Sequence, residues 1–304
     1  MTTLRTALAD YLDLRHSLGF SLKRDAKLLA QFLTYLDEQR TDTVTTVAWA
    51  SLPAPASPGW LGMRLSVVRS FAAYLHTLDP ATEVPPPGLL PGRGRRTVPY
   101  LYSDTDIAAL LAQAERLRTP LRTSTMQTLI SLLAVTGMRI GEVLALDDND
   151  FDISGGLILV HHAKLGKSRQ IPLHQSTMTA LVTYQGLRDH AFPSPVSEAL
   201  LVSTAGTRLL NYNVGQTFAK LVRQAGLSAR SRSCRPRPHD LRHSFAVRTL
   251  LECYRDGGDV AALLPLLSTY LGHVSPANTY WYLQAAPELM AEAARRLETH
   301  LGGR

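Results

Sequence analysis

LILVHHAKLGKSRQIPL, residues 157–173, is the stretch in which the apolar period changes from helical to alternating. LILVHHA (157–163) and SRQIPL (168–173) read as two strands joined across Lys164-Leu165-Gly166-Lys167. On both sides of this hairpin the apolar residues recur at helical spacing. Downstream, helices are expected at about 175–189, 212–225, 239–254, 259–271 and 287–300. Immediately upstream, a helix over about 120–135 ends at Gly137, and another carries Arg139 to Leu146. Before those, Ser103-Asp104-Thr105-Asp106 is an approximate capping box ahead of an apolar run. The expected fold is mainly α with a small antiparallel β-sheet, and no internal repeat is visible.

The first eighty residues read as four short helices in a small bundle. Leu4, Leu8, Tyr11 and Leu12 share a face, and Gly19 ends that helix. Ser21 is expected to cap the next, whose inner stripe is Leu22, Ala26, Leu29, Phe32, Leu33 and Leu36. A third segment around Val44–Trp49 stops at LPAPASP, and a fourth carries Met63, Val67, Phe71, Tyr74, Leu75 and Leu78. DPATEVPPPGLLPGRGRRTVP (79–99) then resists both helix and sheet. The expected organisation is a helical domain at 1–79, a Pro/Arg-rich linker at 80–100 and a larger domain at 101–304. Arg93, Arg95 and Arg96 in the linker fit either a solvated spacer or a strap along a phosphate backbone.

Lys and Arg total 32 against 25 Asp and Glu, a net charge of +7 that favours a polyanionic partner without identifying one. With 45% hydrophobic and 19% charged residues, the chain can bury a core and does not read as disordered. Two cysteines, Cys234 and Cys253, exclude a disulfide scaffold. The longest apolar stretch, Val260 to Leu271, is short for a membrane span and is broken by Pro265. The opening MTTLRTALADYL lacks the apolar core of a signal peptide, so a cytoplasmic protein is expected.

The chemistry-bearing residues begin with Pro238-His239-Asp240-Leu241-Arg242-His243. Proline favours a helix start, which sets His239 and Arg242 on one face of the first turn. At the positive end of a helix that pair suits a phosphate. His239 and His243, four apart, parody a zinc-binding helix, but Asp240 is one methylene short and Arg242 would oppose a cation. Arg139 follows a glycine turn, and Glu142, one helical turn on, could orient its guanidinium. Tyr270-Leu271-Gly272-His273 ends a helix, and Tyr282 comes nine residues after His273 within Asn278-Thr279-Tyr280-Trp281-Tyr282-Leu283.

In this order the residues resemble the tyrosine recombinase family, which includes the phage integrases and Xer-type recombinases. The family pattern, Arg, Lys, His-x-x-Arg, His or Trp, Tyr, falls on Arg139, Lys164, His239, Arg242, His273 and Tyr282. TGMRIGEVLAL, the hairpin ending in RQIPL, PHDLRHSFA and YLGH match as well, over roughly residues 101–300. The helical front matches the family's core-binding domain in layout alone. Two departures stand out. The interval from His239 to His273 is 34 residues, longer than usual, and a loop enlargement around Arg255–Asp259 would account for it. Tyr280 offers a second phenol, although the nine-residue step selects Tyr282.

The resemblance implies a site-specific DNA recombinase in which Tyr282 attacks the scissile phosphate to give a covalent 3′-phosphotyrosyl enzyme. Arg139 and Arg242 would clamp the phosphoryl oxygens, with His273 adding a hydrogen bond. Lys164 would protonate the leaving 5′-oxygen, and His239 would be the base or proton shuttle near the phenol. Only five of the 32 basic residues are Lys, so two at one hairpin tip suggest a task Arg cannot perform. Lys167 is the phosphate contact of the two; solvated turn lysines are the ordinary alternative. Arg230, Arg232, Arg235 and Arg237 run into the His239 motif and suit DNA backbone contacts or a charged loop equally. No cofactor or metal is implied. The expected partners are double-stranded DNA, further copies of the chain in a tetramer on paired sites, and related recombinases, with a mobile element as the setting. The resemblance implies that a terminal helix such as 287–300 docks on a neighbouring protomer, with docking on its own chain as the alternative. The competing functions are type IB topoisomerase-like resealing and a catalytically silent DNA-binding regulator.

Overall fold

Thr3 accepts a hydrogen bond from the Thr6 N–H (3.3 Å) and so starts α1, Leu4–Ser17. The computed structural model describes residues 3–50, 58–89, 98–163, 167–273, 275, 277–285 and 287–302. The chain divides into two units, Met1–Arg96 and Thr97–Arg304. In the first, α1 is followed by α2 (Lys23–Glu38), α3 (Thr46–Ala50) and α4 (Pro58–Leu78). Ser21 does not cap α2. Leu22 holds the N-cap position in a left-handed conformation (φ 37°) with no side-chain cap bond. The turn that closes α1 brings the chain into α2 at Leu22, which packs against the core. Apolar contact there replaces a cap bond worth ~1 kcal/mol.

The stripe on α2 is buried from Leu29 to Leu36, as the periodicity indicates. On α4 the buried stripe is Leu65, Val68, Phe71, Ala72 and Leu75, whereas Leu78 is exposed and Met63, Val67 and Tyr74 lie at its border. This helix is apolar on more than one side, so its partners choose the face: Tyr11 of α1 meets both Phe71 and Tyr74 at 5.4 Å between ring centroids. Packing also continues past residue 79. His76 Nδ1 lies 2.7 Å from Thr82 O, Glu83 N donates to Val44 O, and Arg69 donates to the carbonyls of Pro85 and Pro86. The first half of the proline-rich segment is therefore tied to α4 and is not a free spacer. Arg93, Arg95 and Arg96 lie outside the described residues.

The second unit holds α5 (Asp104–Ala114), α6 (Pro120–Thr136), α7 (Ile140–Ala145), a 3-10 turn (Asp148–Asp150) and three strands. Ser103 and Asp106 form the expected reciprocal cap of α5. The strands β1 (Phe151–Asp152), β2 (Leu157–Ala163) and β3 (Lys167–Pro172) make an antiparallel sheet in the order β1-β2-β3. Ile158 pairs with Ile171 and Val160 with Arg169; Ile158, Val160 and Ile171 are buried. β1 was not anticipated, because two residues carry no alternation to read.

Among the described residues six further helices follow: α8 (Gln175–Ala191), α9 (Asn211–Gln224), α10 (Pro238–Arg255), α11 (Val260–Tyr270), α12 (Ala277–Ala285) and α13 (Pro287–Gly302). α12 was likewise unexpected, since its polar and aromatic residues show no apolar stripe. The long interval between His239 and His273 is filled mainly by helix, not by an enlarged loop. α10 runs to Arg255 and α11 starts at Val260, because Leu250, Val260, Leu264 and Leu267 share one buried cluster. α13 docks on its own chain: Arg296 donates to the carbonyls of Tyr254 and Gly258 and lies over the Tyr254 ring, and Leu289 is buried. No helix among the described residues is long and apolar enough to cross a membrane.

Gly137 ends α6 at φ 60°, and a Cβ there would lie 2.4 Å from Phe245 Cδ1. Gly137→Ala is therefore expected to cost about 2 kcal/mol or more, from left-handed strain and the clash together. For a unit of this size the melting temperature should fall by roughly 4–8 °C in calorimetry. An unchanged Tm would mean that neither the left-handed strain nor the clash with Phe245 is felt at this turn.

Candidate active site

Two glycine turns and a proline-led helix start assemble the site. After Gly137, Arg139 stands at the N-cap of α7 in extended backbone, and its N–H donates to Glu142 Oε2 at 2.9 Å. Its guanidinium NH1 donates to Glu142 Oε1 at 2.7 Å, as the one-turn spacing indicates. Pro238 opens α10, which sets His239 and Arg242 in its first turns. Gly272, at φ 65°, closes α11 so that His273 leaves the helix end, its N–H bonded to Ser268 O at 2.9 Å.

Arg242 is 1% exposed. It donates to Gly137 O at 2.8 Å and to Leu271 O at 2.6 Å, while Arg139 NH2 donates to Gly272 O at 2.7 Å. Burial lowers the Arg242 pKa to about 10, and the Arg139 charge acts in the same direction, against the pull of Tyr282 and Glu142. Burial alone would raise the Glu142 carboxyl; hydrogen bonds from Arg169 and Arg139 overcome it and hold the group at about 2. His239 keeps an exposed edge, yet desolvation of its ring followed by the charges of Arg242, Arg237 and Arg139 pushes it down to about 4.

α12 supplies the remaining groups. Tyr282 is 2% exposed and Tyr280 is 51% exposed, so the two phenols face opposite ways. The Tyr282 ring lies 6.1 Å from the His273 ring, nearly parallel to it, and 5.4 Å from that of His243. Thr279, one helical turn before Tyr282, shares a 2.7 Å hydrogen bond with His273 Nδ1. His243 meets His239 edge to face at 4.7 Å between centroids, so its ring contacts both His239 and Tyr282. Sequence reasoning gave His243 no part other than in the zinc reading. Among the described residues no group of three or more metal-ligating side chains occurs.

The structure thus brings Arg139, His239, Arg242, His273 and Tyr282 together. Lys164 lies outside the described residues; Lys167 starts β3, with its side chain also outside them. Of the basic run before α10, Arg237 is bound to the buried carboxyl of Asp240 (2.9 Å), and Arg230 stacks on Tyr100 and donates to Leu101 O. Arg232 and Arg235 are exposed. One side chain that sequence reasoning missed is Arg169, whose NH1 and NH2 reach both Glu142 oxygens at 3.1 and 2.8 Å. Its signal was present: it lies two residues from Ile171, on the inward side of the strand, where a charge is out of place.

A model of the phage integrase family matches residues 101–288. The chain belongs to that family. Two curated relatives from Sinorhizobium fredii, "Putative integrase/recombinase y4rB" and "Putative integrase/recombinase y4rE", are 42% and 38% identical. The first alignment covers 98% of this chain and 98% of the relative, the second 94% and 93%. Among solved structures, the XerH site-specific recombinase bound to palindromic difH substrate shares the fold with a TM-score of 0.65, at 18% identity over 90% of this chain and 78% of that one. The Tn1549 transposon integrase in complex with a circular intermediate DNA gives 0.64, at 17% identity over 98% and 100%. The chain is thus a site-specific tyrosine recombinase, and its Arg139–Tyr282 cluster lies within the matched segment.

Proposed function

We propose that this recombinase cuts and rejoins duplex DNA with Tyr282 as nucleophile, forming a 3′-phosphotyrosyl ester and freeing a 5′-hydroxyl. The observation that carries this reading is the convergence of Arg139, Arg242 and His273 around a buried Tyr282, each group delivered by a separate turn or helix. Arg139 and Arg242 meet the non-bridging oxygens, where charge develops, and His273, steadied by Thr279, adds a third donor. His239, held neutral at pH 7, is suited to accept the phenolic proton, with the His243 ring in contact with both. The ester conserves the bond energy, so rejoining to another 5′-hydroxyl requires no cofactor.

Substrate and assembly follow the same reading. The partner is double-stranded DNA; the helical unit at 1–79 acts as a core-binding domain, and the 80–100 segment is a strap along the phosphate backbone. Lys167, Arg232 and Arg235 contact phosphates in this reading, as do Arg93, Arg95 and Arg96 of the strap. Arg230 and Arg237 serve first to brace Tyr100 and Asp240. The working form is a tetramer on paired sites belonging to a mobile element, in the cytoplasm.

Lys164 is the general acid in this scheme, and a sulfur leaving group tests it. On nicked duplexes tiled across the DNA flanking the gene, Lys164→Ala should lower cleavage by about 10²–10⁴-fold, the usual worth of a positioned proton donor. A 5′-bridging phosphorothiolate hardly needs that proton, so it should restore much of the rate. Rescue of a Lys167 variant, with Lys164→Ala left inactive, would move the role three residues along the hairpin.

A further inference from the structure

A helix leaves its last carbonyls without intrahelical partners and carries the negative end of its dipole there. At the end of α11 three successive carbonyls each receive a different guanidinium. Arg169 Nε donates to Tyr270 O at 2.8 Å, Arg242 to Leu271 O at 2.6 Å, and Arg139 to Gly272 O at 2.7 Å. His273 is the next residue. Two of these arginines belong to the catalytic pattern; Arg169 does not, and it comes from β3.

The other edge of Arg169 forks onto Glu142, at 3.1 and 2.8 Å. That carboxylate also holds the Arg139 backbone N–H and guanidinium. Both side chains are largely enclosed, with Arg169 13% and Glu142 10% exposed. Arg169 NH1 would lie 3.0 Å from a Cβ at position 272, so the guanidinium rests directly on the glycine turn. One planar group therefore joins the sheet, α7 and the end of α11. Lysine cannot do this, because a single ammonium lacks two donor edges at a fixed angle.

We propose that Arg169 is a positioning residue for strand cleavage: through Glu142 it sets Arg139, and through the Tyr270–Gly272 turn it sets His273. The inference rests on the reading that Arg139 and His273 meet the scissile phosphate. Arg169 itself points at protein acceptors and makes no claim on DNA.

The full chain is the test object, with Arg169→Gln, Arg169→Lys, Glu142→Gln and the Arg169→Gln/Glu142→Gln double variant. Single-turnover cleavage of nicked duplexes from the DNA flanking the gene yields a rate constant at saturation and a half-saturating concentration. Calorimetry on each variant confirms folding, and Arg169→Lys keeps the charge should Arg169→Gln fail to fold. Both Arg169 variants should lose roughly 10- to 100-fold in the saturated rate, as misplaced catalytic groups do, with half-saturation within about threefold of wild type. The double variant should lose less than the product of the two single losses, because Arg169 acts in part through Glu142. A wild-type rate in a folded Arg169 variant would overturn the inference. So would a loss confined to half-saturation, which would make Arg169 a DNA contact, or fully multiplicative losses in the double variant. Peptide mapping of the wild-type adduct separates the two readings: an adduct away from Tyr282 sinks the functional scheme, whereas Arg169 variants that match wild type on a Tyr282 adduct sink this inference alone.

Discussion

Tyr282→Phe should bind DNA as the wild type does and form no denaturation-resistant adduct. The change removes one oxygen from a ring that is 2% exposed and packed against His243 and His273, so the fold should survive. Without the nucleophile no second group can carry the covalent step, and cleavage should fall by on the order of 10⁴-fold or more. Tyr280→Phe is the matched control. Its phenol lies two residues away in the chain but is half exposed, on the opposite side of α12. That variant should retain adduct formation, and peptide mapping of trapped DNA should recover the Tyr282 peptide. Recovery of the Tyr280 peptide would mean that α12 turns before it reacts.

Arg242→Ala should abolish cleavage and also weaken the fold, whereas Arg139→Ala should abolish cleavage with less cost to stability. The difference lies in burial. Arg242 is 1% exposed and supplies donors to Gly137 O and Leu271 O; deleting it strands two carbonyls at about 1–3 kcal/mol each. The Arg139 side chain is 28% exposed, so solvent can replace part of what it gives. For both, cleavage should fall by about 10²–10³-fold or more, because developing charge on the phosphoryl oxygens is what a guanidinium meets best. Site affinity should fall far less, since the ground-state phosphodiester carries a single charge. Gel-shift affinity and single-turnover cleavage measured side by side decide the matter. Equal losses in the two would make these arginines ordinary phosphate contacts.

Several features were legible in the residues because they are local. The hairpin at 157–173 shows as a change of period, the Ser103–Asp106 cap as a four-residue pattern, and the turns at Gly137 and Gly272 as glycines at helix ends. Arg139 with Glu142, and His239 with Arg242, lie within one helical turn, so spacing alone places each pair. The order of chemical groups along the chain carried the resemblance to the family, which the family model over residues 101–288 then showed. Where the reading slipped, a distant partner had chosen. α4 buries Leu65 and Val68 and exposes Leu78, because α1 and α2 select one of its apolar sides. Leu22 takes the N-cap position expected of Ser21, because its side chain has a core to enter.

Spacing and residue chemistry by themselves determined the mainly α fold with one small sheet, and the resemblance of the ordered motifs pointed to the family and named the candidate groups from Arg139 to Tyr282. The tertiary structure alone decided which phenol turns inward, that His243 contacts both His239 and Tyr282, and that α13 folds back onto α10 of the same chain. It alone joined Arg169 to Glu142 and to the end of α11, across 27 and 101 residues of chain. The physical reason is one of range. Capping, turns and helical faces act within a few residues and are written in local sequence. The carbonyls at the end of a helix accept donors from whatever the fold brings to them, and no local pattern specifies which arginine that will be.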